Sequence, residues 1–117
     1  MRDRLTPQSA LAALAAAPGR EFVELFRHGS LTVEIYKPDR VDRQKPHGRD
    51  EVYVVVSGSG QFVLGEERRP SGPGEVLFAP AGSAHRFEGF TDDFATWVFF
   101  YGPEGGEAGA GGPGGGA

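Results

Sequence analysis

The sequence has 117 residues, the usual size of one domain, and 38% of them are hydrophobic, which is enough for one modest core. The formal net charge of -4 argues against nucleic acid as a partner, because nucleic-acid-binding proteins usually carry an excess of basic residues. Cysteine is absent, which excludes disulfides, thiolate metal sites and cysteine nucleophiles, so any metal must have nitrogen and oxygen ligands.

The N-terminal segment, residues 1–19, predicts a helical extension. Thr6 is a suitable N-cap, and Pro7 fits the first helical position because its missing N–H costs nothing there. Pro18 and Gly19 end the helix. We prefer a helix to a secretory signal because alanine supplies little hydrophobicity. No apolar run approaches the roughly 20 residues that span a bilayer, so we expect no membrane association and a cytoplasmic protein.

Residues 20–102 show short apolar segments separated by turn-forming residues, a pattern typical of an all-β domain. Residues 52–56 and 97–101 are apolar on both faces, so both strands must be covered on two sides. A jelly-roll β-barrel provides this cover and removes exposed strand edges. We predict strands at residues 21–27, 30–37, 43–47, 51–57, 60–65, 75–79, 84–88 and 94–101.

The last segment, residues 103–117, is predicted to be a disordered tail. Eight of the thirteen residues after Glu104 are glycine, and none has a large apolar side chain. Such a segment buries too little surface to offset the entropy lost on ordering it.

Two of the three histidines lie where a metal site would need them. His47 and Glu51 share one parity along an extended chain, but four residues of straight strand would separate their Cα atoms by about 13 Å. The chain must therefore bend at Gly48, Arg49 and Asp50, which tolerate turns. His85 follows a Pro-Ala-Gly turn and begins the next predicted strand, where its position is rigid.

These residues resemble the cupin superfamily over residues 39–89, in the manner of its small single-domain, Cupin_2-like members. In the first cupin motif His47 stands at the second histidine, Glu51 at the glutamate and Gly58 at the closing glycine. The second motif is matched by Gly74, Pro80, Gly82 and His85. The resemblance implies a cupin-type barrel that binds one divalent metal ion (Fe, Mn, Ni, Zn or Cu) through His47, Glu51 and His85.

The sequence also departs from the family pattern. Lys45 occupies the position of the first histidine, and a protonated lysine cannot bind a metal. Two histidines and one carboxylate remain, the composition of the facial triad that leaves positions open on iron. Gln44 is a further candidate ligand through its amide oxygen, although its parity directs it away from the barrel unless Pro46 introduces a bulge.

The resemblance implies a metal-binding protein that acts on or binds a small organic molecule, as an oxygenase- or isomerase-type enzyme. The alternatives are a non-catalytic module that binds a sugar or organic acid, and a purely structural barrel, since one fold serves many functions. The family also implies a homodimer. For the remaining residues we expect ordinary roles: His28 in a turn, Lys45 at the rim, Tyr53 in the barrel lining and Trp97 in the core.

Overall fold

The computed structural model describes residues 4–108, and within them the chain forms one helix and eight strands. All the strand pairs are antiparallel. The all-β prediction with a short N-terminal helix is therefore confirmed. The elements are α1 (Pro7–Ala15), β1 (Phe22–His28), β2 (Leu31–Tyr36), β3 (Asp50–Ser57), β4 (Gly60–Leu64), β5 (Glu67–Ser71), β6 (Val76–Ala79), β7 (His85–Glu88) and β8 (Ala95–Tyr101).

Two sheets face each other across the barrel interior. One has five strands in the order β1-β2-β8-β3-β6, and the other has three in the order β5-β4-β7. Alternate residues of each strand point inward, so apolar side chains of both sheets meet between them. The buried members of this inner core are Tyr36, Tyr53, Val55, Phe62, Ala79, Phe87, Phe94 and Val98.

The strand predictions fail in two places, each for a local reason. Residues 43–47 are not a strand, because the Asp42 carboxylate binds the backbone N–H of Gln44 at 3.0 Å and Pro46 has no N–H to donate. No strand was predicted between residues 65 and 75, whereas Glu67–Ser71 forms β5 and contains Pro70. β5 lies at the edge of its sheet, where a proline is tolerated.

Helix α1 covers the outer face of the five-stranded sheet. It begins as predicted, with the Thr6 hydroxyl accepting the Ser9 N–H at 3.0 Å. Its buried residues Ala10 and Leu14 pack with Ile35 of β2 in a second core, on which Trp97 of β8 also packs. Trp97 thus lies under the helix and not in the barrel. No helix within residues 4–108 is long and apolar enough to cross a membrane.

The turn between β3 and β4 requires glycine at position 58. Gly58 has a φ of 70°, in the left-handed region that side chains disfavour. A Cβ atom at this position would also lie 2.6 Å from the Phe94 Cα and 2.7 Å from its backbone nitrogen. The closing glycine of the first motif therefore allows the β3–β4 turn to pack against the chain that leads into β8.

Residues 103–108, which we name the C-terminal strap, belong to the predicted disordered tail but lie against the barrel. The Gly105 N–H donates to the Gly48 carbonyl at 2.6 Å, and the Glu107 N–H donates to the Asp50 carboxylate at 2.9 Å. These hydrogen bonds explain the difference from the prediction, since they offset the entropy of ordering the strap. Residues 109–117 of the predicted tail lie outside the described residues.

Candidate metal centre

The side chains of His47, Glu51 and His85 meet at one point of the barrel interior. One potential ligand atom from each lies within 4.8 Å of the other two. The Glu51 Oε2 atom is 3.7 Å from His47 Nε2 and 3.0 Å from His85 Nε2. Glu51 belongs to β3 and His85 to β7, so each of the two sheets contributes to the cluster.

The bend that brings His47 to Glu51 lies just before β3. The strand starts only at Asp50, so Gly48 and Arg49 form a corner between the two candidate ligands. The His47 carbonyl accepts the Gly82 N–H at 2.8 Å, which fixes the corner to the turn before β7. The bend expected at residues 48–50 is thus present, and it brings His47 close to Glu51.

Asp50 holds the same corner from the other side. It is 6% exposed, and its two carboxylate oxygens accept backbone N–H groups from Ala81 and Glu107, each at 2.9 Å. A single side chain therefore joins the start of β3, the turn before β7 and the C-terminal strap. This connection positions Glu51, the next residue.

The Glu51 carboxylate is buried without a hydrogen-bond partner. Glu51 is 1% exposed, and neither of its carboxylate oxygens has a hydrogen-bond partner among residues 4–108. The 3.0 Å approach of His85 Nε2 lacks the alignment of a hydrogen bond. A buried carboxylate without compensation costs several kcal/mol, so the position calls for a cation at the cluster.

His85 presents its Nε2 atom to this cluster. Its Nδ1 lies 3.0 Å from the Ser83 carbonyl, to which an Nδ1–H donates, so Nε2 of the neutral ring carries the lone pair. Burial lowers the pKa of His85, but the neighbouring Glu51 outweighs burial and the net pKa is raised. A proton and a metal ion would therefore compete for the Nε2 atom of His85.

The Gln44 side chain also reaches the cluster, so the parity argument that directed it away was wrong. Residues 43–47 are a loop, and alternation does not apply to them. The Gln44 amide nitrogen donates to Asp42 at 2.7 Å, which turns the amide oxygen inward, 3.4 Å from His47 Nε2. The Tyr53 hydroxyl donates to this oxygen at 3.0 Å.

Asp42 is a buried residue of this network that sequence reasoning missed. It is 7% exposed and accepts hydrogen bonds from the Tyr36 hydroxyl at 2.6 Å and the Phe87 N–H at 2.8 Å, besides those from Gln44. The only signal in the sequence was the position of Asp42 two residues before Gln44, which allows its carboxylate to bind the Gln44 backbone when the segment is a loop. Asp42 orients Gln44 without contacting the cluster.

Tyr53 is part of the barrel lining, as expected, and also borders the cluster. Its hydroxyl lies 3.0 Å from His85 Nε2. Burial, followed by the charge of Glu51, raises the pKa of Tyr53 well above its usual value, so the phenol stays protonated. Lys45 and His28 are exposed and lie outside the three-residue cluster.

Comparisons with known proteins agree with this architecture. The Cupin_2 family model, described as Cupin domain, matches residues 32–101. The uncharacterized protein SCO3923 of Streptomyces coelicolor is 38% identical over 96 residues, which make up 80% of this chain and 91% of that protein.

Two solved structures show the same fold. A Cupin 2 conserved barrel domain protein from Salinispora arenicola is 20% identical with a TM-score of 0.63, covering 87% of this chain and 89% of its own. KdgF from Halomonas sp. is 24% identical with a TM-score of 0.62, covering 74% of this chain and 83% of its own. Similarity at this level of identity supports the fold alone.

Proposed function

This chain belongs to the cupin domain family, and from that premise we propose that His47, Glu51 and His85 bind one divalent metal ion. The amide oxygen of Gln44 is proposed as a further ligand. The observation that carries the proposal is the Glu51 carboxylate, buried without a hydrogen-bond partner while two imidazole nitrogens approach one of its oxygens. A cation at this point would satisfy all three groups at once.

The donor set fits a divalent transition metal. Imidazole nitrogen and carboxylate oxygen are accepted by Fe, Mn, Ni, Zn and Cu, so any of the five is compatible with the residues present. When bound, the ion would supply Lewis acidity and coordination positions for a small molecule. The chain itself contributes orientation: Ser83 fixes the His85 ring, and Asp42 with Tyr53 fixes the Gln44 amide.

We propose that the metal-bound barrel acts on a small organic molecule, as an oxygenase- or isomerase-type enzyme. The alternative is a non-catalytic module for a sugar or organic acid, favoured by the approach of Gln44 and Tyr53, which leaves less room around the ion. Oxygen uptake tests the oxygenase activity. The protein is loaded with iron under anaerobic conditions and then given oxygen with small acids and phenols. No uptake with any of these compounds contradicts it.

Elemental analysis of protein purified without added metal tests the ligand assignment. We expect about one metal ion per chain in the wild type and almost none in His47→Ala or His85→Ala, since each loses a ligand. The matched control is His28→Ala, which removes the histidine outside the cluster and should retain the wild-type content. Equal content in all four proteins would mean that these residues do not bind the ion.

The quaternary structure follows from the resemblance and stays a prediction. We propose a homodimer, for which light scattering coupled to size exclusion should give twice the chain mass of 12.5 kDa. A mass of one chain at micromolar concentration would contradict this proposal. A cytoplasmic location and the lack of a nucleic-acid partner also stay predictions.

A further inference from the structure

The C-terminal strap is hydrogen-bonded to the corner that brings the first two candidate ligands together. The Gly105 N–H donates to the Gly48 carbonyl at 2.6 Å. The Glu107 N–H donates to the Asp50 carboxylate at 2.9 Å. Residue 48 directly follows one candidate ligand and residue 50 directly precedes the other. Each end of the corner therefore has its own hydrogen bond to the strap.

The middle of the corner is held from the same side. The Arg49 Nε–H donates at 3.0 Å to the carbonyl of Gly102, the residue before the strap. The Glu104 side chain lies over Gly48, where a Cβ atom would collide with its carboxylate. All three residues of the corner thus contact the segment from residue 102 to residue 107.

The strap also lies against the turn that leads to His85. Gly106 packs so closely on this turn that a Cβ atom there would stand 3.1 Å from the Cβ atom of Ala81. The Ala81 N–H donates to one carboxylate oxygen of Asp50, and the Glu107 N–H donates to the other. The strap therefore contacts both segments that carry candidate ligands.

The metal centre depends on how this corner is held. Three ligand atoms must converge to about 2 Å from one ion, so a small displacement of one ligand weakens binding. Glu51 and His85 belong to strands, whereas His47 lies in a loop and is partly exposed. The position of His47 is therefore set by the corner, and contacts that hold the corner reduce the cost of gathering the ligands.

The strap is held less firmly than the strands. Its residues 103–108 are exposed except for Gly106. The net contribution of a backbone hydrogen bond and the entropy lost on ordering one residue are of similar size. Seating of the strap is thus close enough to balance for a ligand at the neighbouring site to shift it.

We propose that the strap is a positioning element of the metal centre, and that the seated strap and the bound ion stabilise each other. The inference rests on the proposed metal site. The seated strap holds the corner in the conformation that places His47 beside Glu51, whereas after its release metal binding must also restore this conformation. By linkage, the factor by which the strap tightens metal binding is also the factor by which the metal favours the seated strap.

Zinc affinity, measured in competition with a chelator dye, tests the first effect. Proline at position 105 should release the strap, because it has no N–H to donate to Gly48 and cannot adopt the φ of 89° observed there. We expect Gly105→Pro to bind zinc about tenfold more weakly than the wild type, as the loss of one or two hydrogen bonds implies. The matched control is Gly111→Pro, the same change three residues beyond the strap, which should bind zinc as the wild type does.

Amide hydrogen exchange, followed by NMR with and without zinc, tests the reverse effect. In the wild type zinc should slow the exchange of the Gly105 and Glu107 amides by about the same tenfold factor. The control is the Gly74 amide, which donates to the Val55 carbonyl at 2.8 Å near the other end of β3 and should exchange at an unchanged rate. In Gly105→Pro the Glu107 amide should exchange rapidly whether or not zinc is present.

These measurements distinguish the two proposals. A wild type that binds zinc no more tightly than Gly105→Pro does overturns the role of the strap and leaves the metal site standing. Zinc that binds without slowing the exchange of either strap amide also overturns it, as does an equal loss of affinity in Gly111→Pro. A wild type that takes up no zinc overturns the proposed metal site, and with it this inference.

Discussion

Replacing Glu34 with glutamine should stabilise the metal-free protein at alkaline pH and change its stability much less under acid conditions. The wild-type carboxyl group is half-buried and its pKa is raised to about 7 from an ordinary value of 4.5. Ionisation of this group inside the barrel therefore costs free energy that it does not cost in the unfolded chain. Glutamine keeps the size and polarity of the side chain and removes the charge.

The direction of this stability change follows from the protons bound by the folded and the unfolded protein at each pH. Below pH 4.5 the carboxyl group is protonated in both states, so the raised pKa costs nothing. As the pH rises toward 7 the unfolded chain loses the proton first, and the stability of the wild type falls relative to the variant. Above pH 7 the full difference between the two pKa values, about 3 kcal/mol, is reached. Because solvent screens a half-buried charge, we expect a smaller difference of about 2 kcal/mol.

Urea unfolding in the presence of a chelator, at intervals from pH 5 to pH 8.5, measures this difference. Subtracting the wild-type curve from that of Glu34→Gln cancels groups that titrate in both proteins, such as His85. The gain should be about a quarter of its maximum at pH 5 and level off above pH 7. Glu67→Gln is the exposed control and should show no gain. A gain that does not vary with pH, or a less stable variant at pH 8, would refute the reasoning.

Three further substitutions test how the barrel supports the site. Gly58→Ala should lower the free energy of unfolding by at least about 3 kcal/mol, because the new Cβ meets the backbone of Phe94, whereas Gly65→Ala, with a similar φ but open space, should lose only about 1 kcal/mol. Similar losses in urea unfolding would contradict this. Tyr53→Phe should weaken zinc binding about tenfold in competition with a chelator dye, because Gln44 loses a hydrogen bond that orients it; unchanged affinity would exclude this support. Asp50→Ala should cost about 2 kcal/mol in urea unfolding, because two backbone N–H groups lose their acceptor; a cost below about 0.5 kcal/mol would show that water replaces the carboxylate.

The sequence predicted the candidate ligands better than it predicted the chain around them. His47, Glu51 and His85 could be identified because each stands in a motif with restricted spacing, and because the turn-tolerant residues 48–50 allow a bend that brings the first two together. Gln44 was kept as a candidate ligand although parity directed its side chain away from the barrel, and that parity argument assumed a strand where the Asp42 side chain holds a loop. A side chain that competes for backbone hydrogen bonds is hard to anticipate from alternation alone.

Long-range pairing explains what else the sequence did not reveal. Strand β5 depends on its pairing with β4, in which Pro70 lies opposite Gln61, and local propensity argued against it. Glu34 lies in a predicted strand, residues 30–37, and no motif distinguishes it from other polar residues. Its inward position depends on which side helix α1 covers, and its distance from the cluster depends on the order β2-β8-β3, which no local pattern specifies.

The two inner carboxyl groups are coupled through their charges, which connects the proposed metal site to Glu34. Part of the rise in the Glu34 pKa comes from the negative charge of Glu51. A divalent ion at Glu51 would cancel that charge and add a positive one, so it should lower the Glu34 pKa and make ionisation less costly. With zinc bound, the gain in unfolding free energy of Glu34→Gln above pH 7 should therefore be smaller than in the metal-free protein. By linkage, the ionised Glu34 should in turn favour the ion, so zinc should bind the wild type more tightly than Glu34→Gln at pH 8 and equally at pH 5.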